Sequence, residues 1–184
     1  MKKLIDRLES FDSDKKCLNV IVETPKGSRI KYAYDAETGL FGLKRALPNG
    51  MMFPFNFGFI PSTLGDDGDP LDILILNEEP LIPGCLLKAR LVAVIKARQT
   101  DDGQTMRNDR LIGVAIGKET PNEFEAIALN KKLCRQIEYF FVSYNQLDGK
   151  QFKVLGQGSP QKAGQIVRKG IKQYLKKKKS KHKK

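Results

Sequence analysis

The sequence is poor in the residues that disulfide frameworks, zinc sites and histidine-assisted catalysis require. Its 184 residues include no tryptophan, one histidine and three cysteines. Cys17, Cys85 and Cys134 are widely separated and form no CxxC pair, so we expect free thiols in a reducing compartment. The one histidine, His182, lies in the lysine-rich C-terminal segment, which argues against Ser-His-Asp or Cys-His chemistry.

Long hydrophobic runs are also missing. The apolar run at residues 73–76 is far shorter than the roughly 20 residues that a membrane helix needs. Residues 1–3 are Met-Lys-Lys, and a mixed polar segment follows them where a signal peptide would have an apolar stretch. Hydrophobic residues still make up 40% of the chain, which is enough for a packed core. We therefore expect a cytoplasmic protein without a membrane segment.

Acidic residues are scarce relative to basic ones, and the imbalance is concentrated at one end. The formal net charge is +12, and residues 176–184 alone contain seven lysines. A run of like charges repels itself, so we expect a disordered lysine-rich tail over 176–184 that attracts polyanions weakly. No aromatic side chain interrupts the run, so stacking on bases is not indicated. A solvated tail and a dedicated polyanion anchor both remain open.

Strand patterns come first along the chain and helix patterns last. Strands are predicted at residues 18–25, 29–35, 39–43, 71–76, 86–100 and 109–117, after a short helix or arm in 1–16. Helical spacing is found over 130–147 and again after Ser159-Pro160, which offers an N-cap and a first-turn proline. The order predicts an α+β fold that is mainly β, with a curved or closed antiparallel sheet and packed helices.

The most informative segment, Gly65-Asp66-Asp67-Gly68-Asp69-Pro70-Leu71-Asp72, places four carboxylates within seven residues. Crowded carboxylates repel one another, and a divalent cation such as Mg²⁺, Mn²⁺ or Ca²⁺ relieves that repulsion through oxygen ligands. An EF-hand loop is excluded, because position six from Asp67 is Asp72 where that loop needs glycine. A polar turn without a metal remains the alternative.

Basic side chains on other predicted strands complement this acidic turn. Lys31, Arg45 and Arg110 are the candidates. Cations that face metal-binding carboxylates indicate an anionic substrate bridged by metal ions, and phosphate is the natural group. Taken singly, each of these residues could equally be a solvated surface charge.

The same stretches resemble the soluble family I inorganic pyrophosphatases. The segment Asp67-Gly68-Asp69-Pro70-Leu71-Asp72 matches that family's D-G-D-P-x-D motif, and residues 53–61 are similar to its Y-P-x-N-Y-G-Y-I-P segment. Further similarity around residues 22–32 and 80–84 extends the resemblance over about residues 18–156. It implies a single domain over 1–175, built as a small five-stranded OB-like β-barrel flanked by C-terminal helices.

The resemblance also implies a reaction. Family members are Mg²⁺-dependent enzymes that hydrolyse inorganic pyrophosphate to two phosphates with metal-activated water, form homo-oligomers, and could here use Mn²⁺ instead. Two alternatives stay open: a hydrolase of another phosphoanhydride, and a non-catalytic phosphate- or polyanion-binding protein on the same fold.

Site residues carry over from the resemblance position by position. Asp69 matches the carboxylate that helps to activate water. The matching metal-site positions are Asp67, Asp72, Asp101, Asn108 and, through water, Glu23. The matching substrate-binding positions are Lys31, Arg45, Arg110 and Tyr144.

Six positions depart from the family pattern. Ala33 stands where a glutamate is usual, Asn108 where an aspartate is usual, and the other changes are Phe53, Phe57, Arg110 and Asn145. The loop over 101–110 is also about two residues longer than in the family, so Asp102 and Asp109 are alternative ligand candidates.

Overall fold

The computed structural model of the chain describes residues 5–14, 17–117 and 131–181. His182 and the end of the predicted tail therefore lie outside the described residues. Within them, a 3₁₀ turn over Ile5–Arg7 stands where the N-terminal helix or arm was expected. The strands are β1 Leu18–Thr24, β2 Ile30–Asp35, β3 Leu40–Ala46, β4 Asn56–Phe59, β5 Asp72–Leu76, β6 Leu86–Asp101, β7 Gln104–Arg107, β8 Arg110–Ile116 and β9 Gln151–Gly158, and the helices are α1 Lys131–Gln146 and α2 Pro160–Lys181.

Five strands close into a ring, which confirms the predicted architecture. The order is β1-β4-β5-β8-β6, and β6 pairs back onto β1 to complete the circuit. All these pairings are antiparallel except β5 with β8, which is parallel. The ring is a slightly irregular barrel, with register shifts within β1 and within β6.

Strand β6 is much longer than the ring requires. Its first part, Leu86–Ile95, pairs with β1 and β8 inside the ring. Its second part extends outward and pairs with β9 on one side and β7 on the other. Strands β7 and β9 were not predicted from the sequence, and together they form an arm that projects from the ring.

Strands β2 and β3 form a separate hairpin beside the ring. Lys31 of β2 is the register partner of Arg45 of β3, with an irregularity immediately after Lys31. Two of the predicted substrate-binding cations are therefore brought together by strand pairing alone.

The core lies on both faces of β5, which explains its unbroken apolar run. Leu74 and Leu76 contribute to a buried cluster with Ile137 and Phe141 of α1. Ile73 and Ile75 belong to a second cluster, with Ala163 and Val167 of α2. The two helices thus pack against side chains from opposite faces of β5, as the period-two alternation of strand side chains requires.

Helix α2 begins where the sequence predicts and continues further than expected. Ser159 Oγ accepts the N–H of Lys162 at 3.3 Å, and Pro160 opens the helix. In the structure α2 continues to Lys181. Residues 176–181 are therefore helical, where a disordered tail was expected. Lysine is a good helix former, and extending an existing helix requires no new nucleus. No helix among the described residues is both long and apolar enough to cross a membrane.

Candidate active site

The acidic turn folds into a compact loop held by its own backbone. Gly65 N–H donates to Asp69 O at 2.7 Å, and Gly68 N–H donates to Gly65 O at 3.2 Å. Gly68 has φ +88°, a conformation that a residue without a Cβ adopts easily. Asp67 Oδ1 accepts the N–H of Asp69 at 3.2 Å. The turn therefore fixes the orientation of Asp67 before any ligand binds.

Asp72 opens β5 directly after the turn and meets a buried cation. Its Oδ2 lies 2.6 Å from Nη1 of Arg110, the first residue of β8. Burial raises the pKa of Asp72 to about 6, Arg110 and Lys31 oppose the shift, and Glu23 and Asp67 add to it. Burial also raises the pKa of Asp67, with a smaller contribution from Asp69. Negative charge in the turn is thus only partly compensated by the protein.

Asp66 belongs to the same segment but has a different environment. Its carboxylate accepts hydrogen bonds from Lys169 Nζ at 2.9 Å and from Gln173 Nε2 at 2.8 Å, both on α2. These bonds, Gln173 first, hold the pKa of Asp66 below its usual range. Asp66 ties the turn to helix α2.

Glu23 and Lys31 form a second acid–base pair beside the turn. Lys31 Nζ lies 2.9 Å from Glu23 Oε2, and Glu23 Oε1 accepts the backbone N–H of Tyr34 at 2.9 Å. The ammonium also lies 4.1 Å from the ring centroid of Phe57. Burial lowers the pKa of Lys31, although Glu23 opposes that shift. At Phe57 an aromatic face contacts the cation in place of the missing hydroxyl.

Arg45 and Tyr144 form the third part of the site. Arg45 Cζ lies 4.0 Å from the ring centroid of Tyr144, and Arg45 pairs with the carboxylate of Asp148. Burial raises the pKa of Tyr144. Phe53 connects this pair to Lys31, because its ring centroid is 5.6 Å from that of Tyr144 and 5.9 Å from Lys31 Nζ.

Asn145 hydrogen-bonds within its own helix, although the family pattern has a lysine at this position. It is buried in α1, and its Nδ2 donates to Phe141 O at 2.7 Å. Its amide side chain therefore serves the helix itself.

The predicted ligand Asp101 lies at the far end of strand β6. It ends β6 at the tip of the β6–β7 hairpin and pairs with Lys150 Nζ at 2.5 Å. Asn108 is bonded through its N–H to Ala97 O at the base of the same hairpin. Asp101 lies four residue steps along β6 from Ala97, a distance of about 13 Å. The hairpin register therefore places Asp101 at the opposite end of the hairpin from Asn108.

The alternative candidates in this loop have other partners or positions. Asp109 is mostly buried, and its Oδ1 accepts the N–H of Ala97 at 2.9 Å and Nε of Arg107 at 2.6 Å. Asp102 lies in the hairpin turn with φ +46°, followed by Gly103 with φ +76°. Asp109 lines the same cavity as Asp67 and Asp72, and its Oδ1 is already bonded to Ala97 and Arg107.

Gln99 is a residue at the edge of the site that sequence reasoning missed. Asn108 Nδ2 donates to Gln99 Oε1 at 2.9 Å, and Asn108 Oδ1 accepts from Arg110 Nη1. The Asp102-Gly103 pair is a strong signal for a two-residue hairpin turn, and it fixes the register that places Gln99 near Asn108. That signal was present in the sequence.

The donor groups fit a divalent ion at the acidic turn but do not fit one at Asn108. No three or more His, Cys, Asp or Glu side chains cluster as a ready-made metal cage anywhere in the described ranges. Mg²⁺, however, usually keeps several waters and uses only one or two carboxylates plus substrate phosphates. Asp67 and Asp72 match that need, and both line a cavity of about 550 Å³. Asn108 lines the same cavity but is neutral and already bonded to a guanidinium.

Comparison with known proteins places this arrangement in a family. The sequence profile of the family described as inorganic pyrophosphatase matches residues 20–175. The chain belongs to the inorganic pyrophosphatase family. Members of this family are phosphoanhydride hydrolases that use a divalent metal cofactor.

Similarity to individual pyrophosphatases extends over most of the chain. It is 37% identical over 161 residues to the inorganic pyrophosphatase of Aquifex pyrophilus, covering 85% of this chain and 89% of that protein. It is also 37% identical over 158 residues to the inorganic pyrophosphatase of Saccharolobus solfataricus, covering 84% and 90%.

Solved structures give the same result for the fold. The inorganic pyrophosphatase of Thermus thermophilus superposes with a TM-score of 0.81 at 31% identity, covering 93% of this chain and 98% of that one. That of Helicobacter pylori gives 0.81 at 34% identity, covering 92% and 99%. The OB-like barrel with two C-terminal helices is therefore the pyrophosphatase fold.

Proposed function

We propose that this pyrophosphatase hydrolyses inorganic pyrophosphate to two phosphates, with Mg²⁺ held at Asp67 and Asp72 and water activated at Asp69. The observation that carries the proposal is the acidic turn: Asp67 and Asp72 are only partly compensated by the protein, both line one cavity, and Asp72 contacts the cation Arg110. Mn²⁺ has the same preference for oxygen ligands and is the natural substitute.

The carboxylates of the acidic turn have different proposed roles, metal binding for Asp67 and Asp72 and water activation for Asp69. A bound Mg²⁺ would lower the pKa of a coordinated water and screen the charge of the substrate. Asp69 accepts a proton from the attacking water as general base. Its backbone N–H holds the Asp67 carboxylate in place at 3.2 Å, so the position of one acid depends on that of the other.

The cations bind and orient the substrate. Phosphoryl transfer depends mainly on positioning and on stabilising negative charge, and Lys31, Arg45 and Arg110 supply that charge. Glu23 positions Lys31 through the 2.9 Å contact, while the Tyr34 N–H holds Glu23. Tyr144 contributes a hydroxyl and supports the guanidinium of Arg45 with its ring.

Phosphate release from pyrophosphate tests the proposal, with Mg²⁺ and Mn²⁺ in parallel reactions. Asp69→Asn should reduce turnover by about 100-fold or more, the typical contribution of a general base. Asp66→Asn is the matched control, because it removes a neighbouring carboxylate that contacts α2, and turnover should stay near that of the unchanged chain. Folded protein that releases no phosphate with either metal would contradict the proposal.

The lysine-rich end of α2 supports a weak contact with polyanions. Exposed lysines occupy residues 176–179 of the helix, so positive charge is presented on a rod rather than on a loose tail. Such a contact would depend strongly on salt concentration. Because the α2 side chains that bond Asp66, Lys169 and Gln173, precede this segment, we propose that polyanion binding and hydrolysis are independent.

We also propose a homo-oligomer in the cytoplasm. Large apolar side chains are exposed on the β2–β3 hairpin, where Leu40 and Leu43 are 68% and 65% exposed. Exposed apolar groups of this size are typical of surfaces that associate with another chain. The thiols of Cys17, Cys85 and Cys134 are all free, as in a reducing compartment.

A further inference from the structure

Arg110 is a buried cation in an unusual position, between two groups of the predicted metal site. Its Nη1 lies 2.6 Å from Asp72 Oδ2, and the same nitrogen donates to Asn108 Oδ1. Only 6% of the Arg110 side chain is exposed. This one nitrogen therefore contacts both oxygens, Asp72 Oδ2 and Asn108 Oδ1, that would coordinate a divalent ion bound between the two residues.

Aromatic rings hold this guanidinium in place. Arg110 Cζ lies 5.0 Å from the ring centroid of Phe141 and 5.5 Å from that of Phe152, and both rings belong to the core. Arg110 Nε is buried and, among the described residues, has no hydrogen-bond partner. The guanidinium is thus oriented by packing and by three oxygens that its Nη1 contacts, those of Asp72, Asn108 and the backbone carbonyl of Asp109, while its Nε–H is left without a partner in the described part of the chain.

The neutral side chain of Asn108 is oriented toward the same cation. Its Nδ2 donates to Gln99 Oε1, so its Oδ1 faces Arg110. A dication at this place would have one carboxylate and one amide as protein ligands, and it would lie against a fixed positive charge. Coulombic repulsion disfavours that arrangement strongly in a mostly buried site.

We propose that the guanidinium of Arg110 permanently takes the place of a divalent ion between Asp72 and Asn108. The chain then binds divalent ions only toward Asp67 and the open side of Asp72, and it needs one ion fewer than the same site would bind without Arg110. This inference rests on the proposed function for the identity of the site, but it concerns ion binding by the free protein.

Mn²⁺ binding to the full chain without pyrophosphate tests the inference, by calorimetry and by paramagnetic resonance of the free ion. Arg110→Gln should bind one more Mn²⁺ per chain than the unchanged protein. Lys31→Gln is the matched control. It also removes a cation near Asp72, one that is paired with Glu23, and it should add no bound ion. No gain in folded Arg110→Gln, or an equal gain in Lys31→Gln, would overturn the inference.

A second variant decides the question if Arg110→Gln does not fold. Asn108→Asp adds a carboxylate but leaves Arg110 in place, so the number of bound Mn²⁺ ions should not change. A gain of one ion in Asn108→Asp would overturn the inference. Because no substrate is used, a failure here is distinct from a failure of pyrophosphate hydrolysis.

Discussion

The acidic turn and the β6–β7 hairpin are the two regions from which carboxylates were expected at the metal site. In the turn, Asp67 and Asp72 lie beside one cavity. In the hairpin, Asp101 lies at the tip and pairs with Lys150, whereas the amides of Gln99 and Asn108 lie at the base. The turn contributes Asp67 and Asp72 to the cavity and the base of the hairpin contributes Asn108 and Asp109, whereas Asp101 lies at the hairpin tip.

The difference follows from how each region is specified. The turn is a continuous segment, and hydrogen bonds between backbone groups close in sequence fix its conformation. The position of a hairpin residue depends on strand register, and each residue added between the base and an aspartate moves that aspartate along the strand by about 3.3 Å. Contiguous motifs therefore transfer between relatives more safely than motifs split across a hairpin.

The largest expected effect comes from removing one carboxylate from each region. Asp67→Asn should raise the Mg²⁺ concentration for half-maximal activity by about 10-fold or more, because even indirect partners of a metal contribute on that scale. Asp101→Asn should change it less than about twofold, because its carboxylate binds Lys150 at the hairpin tip. Titration of activity with Mg²⁺ measures both. Equal effects would mean that the two regions contribute alike.

An intermediate effect is expected from the glycines of the two turns. Gly68 and Gly103 both have positive φ, and an added Cβ meets no atom within 4 Å at either position. Alanine at either site should therefore lower the free energy of unfolding by a similar amount, about 1–2 kcal/mol. Gly68→Ala should also lower turnover, since Asp67 and Asp69 flank it, whereas Gly103→Ala should not. Denaturant unfolding measures the effect of each variant on stability, and kcat measures its effect on turnover. Loss of turnover in Gly103→Ala would contradict the comparison.

The smallest effect concerns the attachment of the acidic turn to α2. The pKa of Asp66 is held below its usual range, so its charged form stabilises the fold above the ordinary aspartate range near pH 4. That contribution is lost as the pH falls below the ordinary aspartate range and through the lower pKa that Asp66 has in the folded protein. Because the groups are partly exposed, Asp66→Asn should cost less than about 1 kcal/mol at pH 7 and nothing measurable at low pH. Melting curves of both proteins from pH 7 to pH 3 measure the difference, and a constant difference would count against the attachment.

Much of the fold follows from patterns in the sequence. The apolar run of β5 and the helical spacing of α1 are each confirmed close to their predicted bounds. The element order predicted a curved or closed sheet, and the family resemblance predicted the five-stranded barrel; the pairing of β6 with β1 spans a long separation that periodicity does not report. The short, polar strand β7 has no hydrophobic alternation, so only its turn could have indicated it.

The residues of the site were predictable where they lie close together in the sequence or on paired neighbouring strands. Asp67, Asp69 and Asp72 stand in one motif, and strand pairing brings Lys31 to Arg45. The contacts of Arg110 were not predictable, because they depend on a parallel strand pair that joins β8 to β5 from a distant part of the sequence. Three-dimensional packing alone makes that arginine a partner of Asp72.

The closure of the ring by β6 also sets an order in which the protein can fold during its synthesis. Strands β1, β4 and β5 emerge from the ribosome first, but the outer edge of β1 awaits β6 and that of β5 awaits β8, which ends at Ile116. Until then the nascent chain presents two unpaired strand edges, which are templates for wrong pairing with other chains. Residues 77–116 thus contain β6 and β8, the strands that close the ring. A ribosome that stalls before residue 116 leaves a sheet with unpaired edges, which chaperones would have to protect.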